Sequence, residues 1–265
     1  MVASLADVPN ALLGLSLQET IGYLCEPGKN ITRVKRALDD FIMRAWYLFT
    51  DRDGRIFFQN TKNLIAELNS LVDSYDNESA KKELRTFLKE NFEPMVADCY
   101  QKVMVFPAVD EISVTEDKVL LVLFEPYPGG TGLHPDLQEF YENERYKNRV
   151  LFLSGTRSTM DKLYYAAKEH RAINQIITRM EEEKTPTNNP QYLKAQEKRD
   201  RIKLELLQAA RETFVQLYYP TKAGLTKADF FMEFTKNEYD GEKQIKDVLY
   251  TSKKLVSRIK KLCYK

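Results

Sequence analysis

The chain has 265 residues, enough for one large domain or two or three small ones, and its 43% hydrophobic and 30% charged content is that of a folded rather than a disordered protein. Its 40 basic and 39 acidic residues nearly cancel, so no global field recruits nucleic acid or an anionic membrane, and such a partner would need a local patch. Three cysteines far apart, Cys25, Cys99 and Cys263, argue against a disulfide framework; no leader-like or membrane-length apolar run is present, which gives the expectation of a cytoplasmic protein with no membrane partner.

Along the chain, the first half reads as helices. Leu17 to Leu24 is a short helix that Pro27 and Gly28 interrupt. Ile31 to Phe49 follows, with apolar residues at Ile31, Val34, Leu38, Ile42, Ala45, Trp46 and Phe49. Asp51-Arg52-Asp53-Gly54 has the chemistry of a tight reversal between Trp46-Tyr47-Leu48-Phe49 and Arg55-Ile56-Phe57-Phe58, so a helix pair followed by a two-stranded wing is expected. Residues Thr32 to Arg44 carry Arg33, Lys35, Arg36 and Arg44 against Asp39 and Asp40, a thin balance for tracking phosphates. Asn63 to Tyr75 and Ser79 to Asn91 are two further amphipathic helices, and Lys82, Arg85 and Lys89 alternate with Glu83 and Glu90 as on a solvated face.

The organisation changes near Tyr100. Val103 to Pro107, Lys118 to Phe124 and Arg149 to Leu153 read as strands, the last two ending in Glu125-Pro126-Tyr127-Pro128-Gly129-Gly130 and Ser154-Gly155-Thr156-Arg157. Parallel strands of this kind collect their carboxyl ends at one edge, where open α/β sheets bind ligands. That edge would gather Asp110, Glu111, Glu125, His134 and Arg157. Asp110 and Glu111 are neighbours that diverge on an extended segment, so a solvated loop is the preferred reading over a metal pair. Glu125 and Arg157 are expected to pair and tie two strand ends together, and His134 to cap the helix Asp136 to Tyr146 that Pro135 begins. The glycines lack the spacing and Lys-Ser or Lys-Thr of a nucleotide cradle, and no metal, cofactor or triad pattern appears.

Ser158 with Asp161 reads as the capped start of a long helix. After the Thr185 to Pro190 turn a second runs from about Gln191 to Leu217, making an antiparallel hairpin that either projects or packs back. Phe214 to Pro220 turns into a strand, and Glu242 to Leu262 is a helix. Between Glu242 and Lys265 there are eight basic residues against two acidic ones, so Lys253, Lys254, Arg258, Lys260 and Lys261 form the candidate anion-binding patch. The fold class is therefore mixed, helix-rich α/β. A winged-helix-like segment occupies residues 1–99, and an α/β domain with a mainly parallel sheet occupies 100–265, its hairpin at about 159–217.

Trp46-Tyr47-Leu48-Phe49 with Gly54-Arg55-Ile56-Phe57-Phe58, Asn63-Leu64, Leu120-Leu121-Val122-Leu123, Asn148 to Gly155 and Tyr218-Tyr219-Pro220 come in an order that resembles one known family. It is the region following the ATPase core of large prokaryotic P-loop ATPases that contain an uncharacterised domain, some encoded near anti-phage defence genes. The resemblance covers most of Ala45 to Leu249. It implies a non-catalytic regulatory or protein-interaction region whose partner is another protein or the ATPase region of the same polypeptide, with no cofactor of its own. The chain lacks that family's Gly-rich nucleotide loop, its lysine and an acidic magnesium site, so ATP hydrolysis does not transfer. Two alternatives remain: a metal-dependent nuclease or other phosphoryl-transfer enzyme using Asp110, Glu111 and Glu125, and a nucleic-acid-binding module using the wing or the basic carboxyl end.

Overall fold

The structure is a computed structural model that describes residues 14–26, 28, 30–51, 53–59, 62–128, 132–234 and 239–252. It divides into two compact units, one of residues 1–75 with 172–196 and the other of residues 76–171 with 197–265. The division falls within both long helices of the expected hairpin, so each unit contains part of that hairpin.

In the first unit, β1 (Leu15–Ser16) leads into α1 (Leu17–Leu24) and α2 (Ile31–Arg44), then β2 (Leu48–Thr50), β3 (Arg55–Phe58) and α3 (Leu64–Ser74). Ser16 and Glu19 form a reciprocal capping box on α1, and Asn30 and Asn63 cap α2 and α3 through their amide oxygens. The helix expected to run to Phe49 stops at Arg44, because Leu48 to Thr50 pair with β3 in the hairpin. The Asp51 carboxylate closes that hairpin by accepting from the backbone N–H groups of Asp53 at 3.0 Å and Arg55 at 2.8 Å, and Gly54 supplies the left-handed φ of +73° that the turn needs. A third strand, β1, was not expected; it pairs antiparallel with β3 and gives the order β1-β3-β2. Leu48, Leu68, Val72, Ile173, Ile176, Met180 and Tyr192 are buried in this unit, and so is the Glu67 carboxylate, which pairs with Arg179.

The second unit is a five-stranded sheet in the order β4-β5-β6-β7-β8. Strands β4 (Lys102–Val105), β5 (Leu120–Leu123) and β6 (Val150–Ser154) are parallel, whereas β7 (Gln216–Thr221) and β8 (Gly224–Asp229) are antiparallel. The parallel expectation thus holds for three strands. The return through the two long helices reverses the chain direction, and the residues read as a connector around Gly224 begin a fifth strand.

Period-two alternation sorts the central strands. Leu121 and Leu123 enter one core with α4 (Asn77–Phe92), α6 (Met160–Glu182) and α7 (Pro190–Thr213), while Leu120 and Val122 enter another with α5 (Pro135–Asn143). Burial on both faces explains why these strands read as continuous apolar runs. Within this unit Met160, Leu163, Ala167, Leu206, Leu207 and Ala210 lie in the same core as the sheet, so this part of the hairpin packs back rather than projecting. Ser158 does not cap α6: Arg157–Thr159 form a 3-10 turn that runs directly into Met160. The last described helix, α8, spans Gly241–Thr251, and Lys253, Lys254, Arg258, Lys260 and Lys261 lie outside the described residues. No described helix is long and apolar enough to cross a membrane.

Candidate functional site

The carboxyl edge of the parallel strands separates the expected rim into two places, and strand alternation is the cause. Glu125 continues the parity of Leu121 and Leu123 and meets α4 and α6, whereas Phe124 continues that of Val122 and packs against the α5 core. Glu125 Oε2 accepts from Lys81 Nζ at 3.0 Å and Oε1 accepts from Arg157 at 3.3 Å and from the Tyr164 hydroxyl. The expected tie between Glu125 and Arg157 is present. Lys81 and Tyr164, neither singled out from the sequence, complete it.

Burial pushes the Glu125 carboxyl upward, but the hydrogen bonds from Tyr164 and Lys81 and the charges of Lys81 and Arg157 outweigh it and hold the group below its ordinary value. Burial first, and then the hydrogen bond to Glu125, raises the Tyr164 hydroxyl. A carboxylate engaged at both oxygens and held ionised is a clamp rather than a general base.

Behind this clamp the exit of β6 passes very close to the end of α7. Thr156 N–H donates to Thr213 O at 2.9 Å, and Val215 N–H donates to Ser154 O at 3.1 Å. A Cβ on Gly155 would lie 1.9 Å from Thr213 O, so only glycine lets the two backbones approach. Just past the end of β4, Phe106 takes a left-handed φ of +49°, an unusual conformation for an aromatic residue, held by donation of its N–H to Leu123 O at 2.9 Å and by Arg85 on its carbonyl at 3.0 Å.

The other rim residues stay apart from Glu125. His134 caps α5, its Nδ1 accepting from Asp136 N–H at 3.3 Å, with its ring edge-on to Phe124 and Tyr127. Asp110 and Glu111 lie on a 3-10 turn, not on an extended segment. The Glu111 carboxylate folds back to accept from Ala108 N–H at 2.9 Å, and Asp110 borders a shallow acidic cleft with Asp136, Glu139 and Glu144. Among the described residues no three His, Cys, Asp or Glu side chains gather as a metal site.

A different feature was not singled out from the sequence. Between α4 and β4 the loop Glu93 to Cys99 exposes two adjacent apolar side chains, Met95 at 78% and Val96 at 76% of their full area. Its backbone is pinned from beneath. Glu242, in the first turn of α8 and only 4% exposed, accepts from Val96 N–H at 2.8 Å and from Asp98 N–H at 2.9 Å. Ala97 between them adopts a left-handed φ of +58°, and its carbonyl accepts from Gln101 at 2.7 Å. Lys246, one turn along α8, pairs with Asp98.

At the loop's end, burial and then the neighbouring Asp98 and Glu242 charges push the Cys99 thiol up to about 12, which makes it an inert packing group. The Tyr100 hydroxyl donates to Phe92 O at 2.6 Å and closes the loop. The sequence carried a weak trace of this arrangement: Pro94-Met95-Val96 sets apolar residues beside a proline, outside any helical or alternating pattern. Comparison of the chain with models of protein families, with curated proteins and with solved structures finds no match in any of the three.

Proposed function

We propose that this chain is a non-catalytic protein-interaction region of a multidomain prokaryotic ATPase, and that the Met95-Val96 loop is a docking point. The observation that carries this reading is the combination of two exposed apolar side chains with a backbone fixed by a buried carboxylate. A solvent-facing methionine and valine on a mobile loop would be unremarkable. On a loop already held in one conformation they form a preorganised anchor, because little ordering entropy is lost when a partner covers them. The carboxylate clamp at Glu125 fits the same reading, since it spends the best-placed acid of the sheet edge on joining α4, β5 and α6. It also weighs against the nuclease alternative, in which Glu125 would share a metal with Asp110 and Glu111. The ATPase context and the link with anti-phage defence rest on the family resemblance alone.

The test is site-specific photo-crosslinking in the native host, with a photoreactive amino acid replacing Met95 or Val96 and, as control, Leu204. One discrete adduct from positions 95 and 96, absent from 204 and containing a P-loop ATPase sequence, is expected. A discrete adduct without such a sequence would remove the ATPase context, and no adduct would remove the docking point.

A further inference from the structure

We infer that α2 of the first unit is a DNA-reading helix and that the chain binds duplex DNA through Arg33, Arg36 and Arg44. Two helices joined by a six-residue connection precede a β-hairpin, and the second of them leaves most of its residues exposed. Along α2 only Val34, Leu38 and Ile42, spaced four apart, are partly buried, and every other residue of the helix is exposed. At 100° per residue the side opposite those three carries Arg33, Arg36, Asp40 and Met43, with Thr32 and Arg44 at its margins.

The structure alters the charge balance that the sequence gives for this helix. Asp39 does not share the outer face, but borders a cleft with Ser16, Leu17, Ile42 and Thr50. Three guanidinium groups then stand against one carboxylate, and among the described residues no carboxylate forms an ion pair with Arg33, Arg36 or Arg44. Asp40, although four residues from both Arg36 and Arg44, forms an ion pair with neither.

The dimensions suit the ligand. Arg33 and Arg44 are separated by about 16 Å along the axis at 1.5 Å per residue, and a B-form major groove about 12 Å wide admits a helix. Arg33 and Arg36 occupy the first turns, the part of such a helix that enters the groove, and all three guanidinium groups are placed to neutralise backbone phosphates. The hairpin tip is not assigned to phosphate, because the Asp51 carboxylate is turned onto the backbone and Asp53 stands beside it.

The test is fluorescence anisotropy of the full chain with a labelled duplex of roughly 25 base pairs, at about 50 and 200 mM salt. Three phosphate neutralisations predict a log–log salt slope near −2.7, or an affinity loss of about 40-fold across that interval. The R33A/R36A/R44A variant should abolish binding, each single substitution should flatten the slope by about 0.9, and R201A in the second unit should change nothing. D40N removes the opposing charge and should tighten binding, a gain that a folding defect cannot produce. No saturable binding at low salt would overturn the inference. So would binding that survives the triple substitution, or a preference for RNA duplex or single strands over duplex DNA.

Discussion

Replacing Glu242 by Gln keeps the size and shape of the side chain that pins the Met95-Val96 loop and removes one of its two acceptors. The wild-type carboxylate receives Val96 N–H at 2.8 Å and Asp98 N–H at 2.9 Å. An amide has one acceptor oxygen, so one backbone donor must face an NH2 group or lose its partner. Leaving a buried donor unsatisfied costs about 1–3 kcal/mol, and the surviving bond loses its charge assistance, so about 2 kcal/mol is a reasonable central figure. The loss should appear first as local opening, since the positive φ of Ala97 persists only while its neighbours hold it. Hydrogen exchange at Val96 and Asp98 should therefore quicken roughly thirtyfold, the equivalent of 2 kcal/mol. The cooperative melting point should fall by about 4–8 °C. Unchanged exchange at both amides would refute the pinning argument, and quickening spread evenly over the second unit would show that Glu242 supports the core rather than the loop.

Three further substitutions test the rest of the structure. Glu125→Gln should cost about 2 kcal/mol at neutral pH, for loss of a carboxylate shared by three donors. Because the folded carboxyl is held below its ordinary value of 4.5, its contribution is complete above that value and disappears as pH falls through the folded pKa. Urea midpoints of wild type and variant should therefore converge as the pH falls below 4.5 and through the folded pKa, and a pH-independent difference would contradict the clamp. Gly155→Ala places a methyl 1.9 Å from Thr213 O and should destabilise by about 3 kcal/mol, read by thermal unfolding; a neutral result would mean that β6 and α7 separate freely. Arg179→Met strands the Glu67 carboxylate, which is 3% exposed, at a cost of about 3–5 kcal/mol, and adding Glu67→Leu should recover much of that loss. Failure of the double variant to recover would assign the effect to packing by the arginine.

The features legible in the sequence were local. The Asp51 to Gly54 reversal, the three parallel strands and His134 at the start of α5 each depend on neighbours within a few positions, where turn chemistry and alternation act. What sequence reading missed was joined over long separations. Lys81 and Glu125 are 44 positions apart, Tyr164 and Glu125 are 39 apart, and Val96 and Glu242 are 146 apart. Lys81 follows the charge pattern of an exposed helix face, and only the packing of α4 beside the end of β5 turns it toward Glu125. Glu242 opens the basic carboxyl segment and is submerged in its charge count, although it is the acid that organises the loop 146 positions earlier. Gly155 was visible as a turn residue, but the need for glycine comes from Thr213, supplied by the far end of the hairpin. The expected gathering of rim residues failed for a reason that strand parity contains, since Phe124 and Glu125 must point to opposite faces.

The most direct measurement is crosslinking yield from position 95 in the native host, compared between the otherwise wild-type chain and one carrying Glu242→Gln. A preordered docking loop predicts a discrete adduct that weakens severalfold when the pin is removed while the protein stays folded. Equal yields with and without Glu242 would contradict preorganisation, and no adduct in either would contradict docking at this loop.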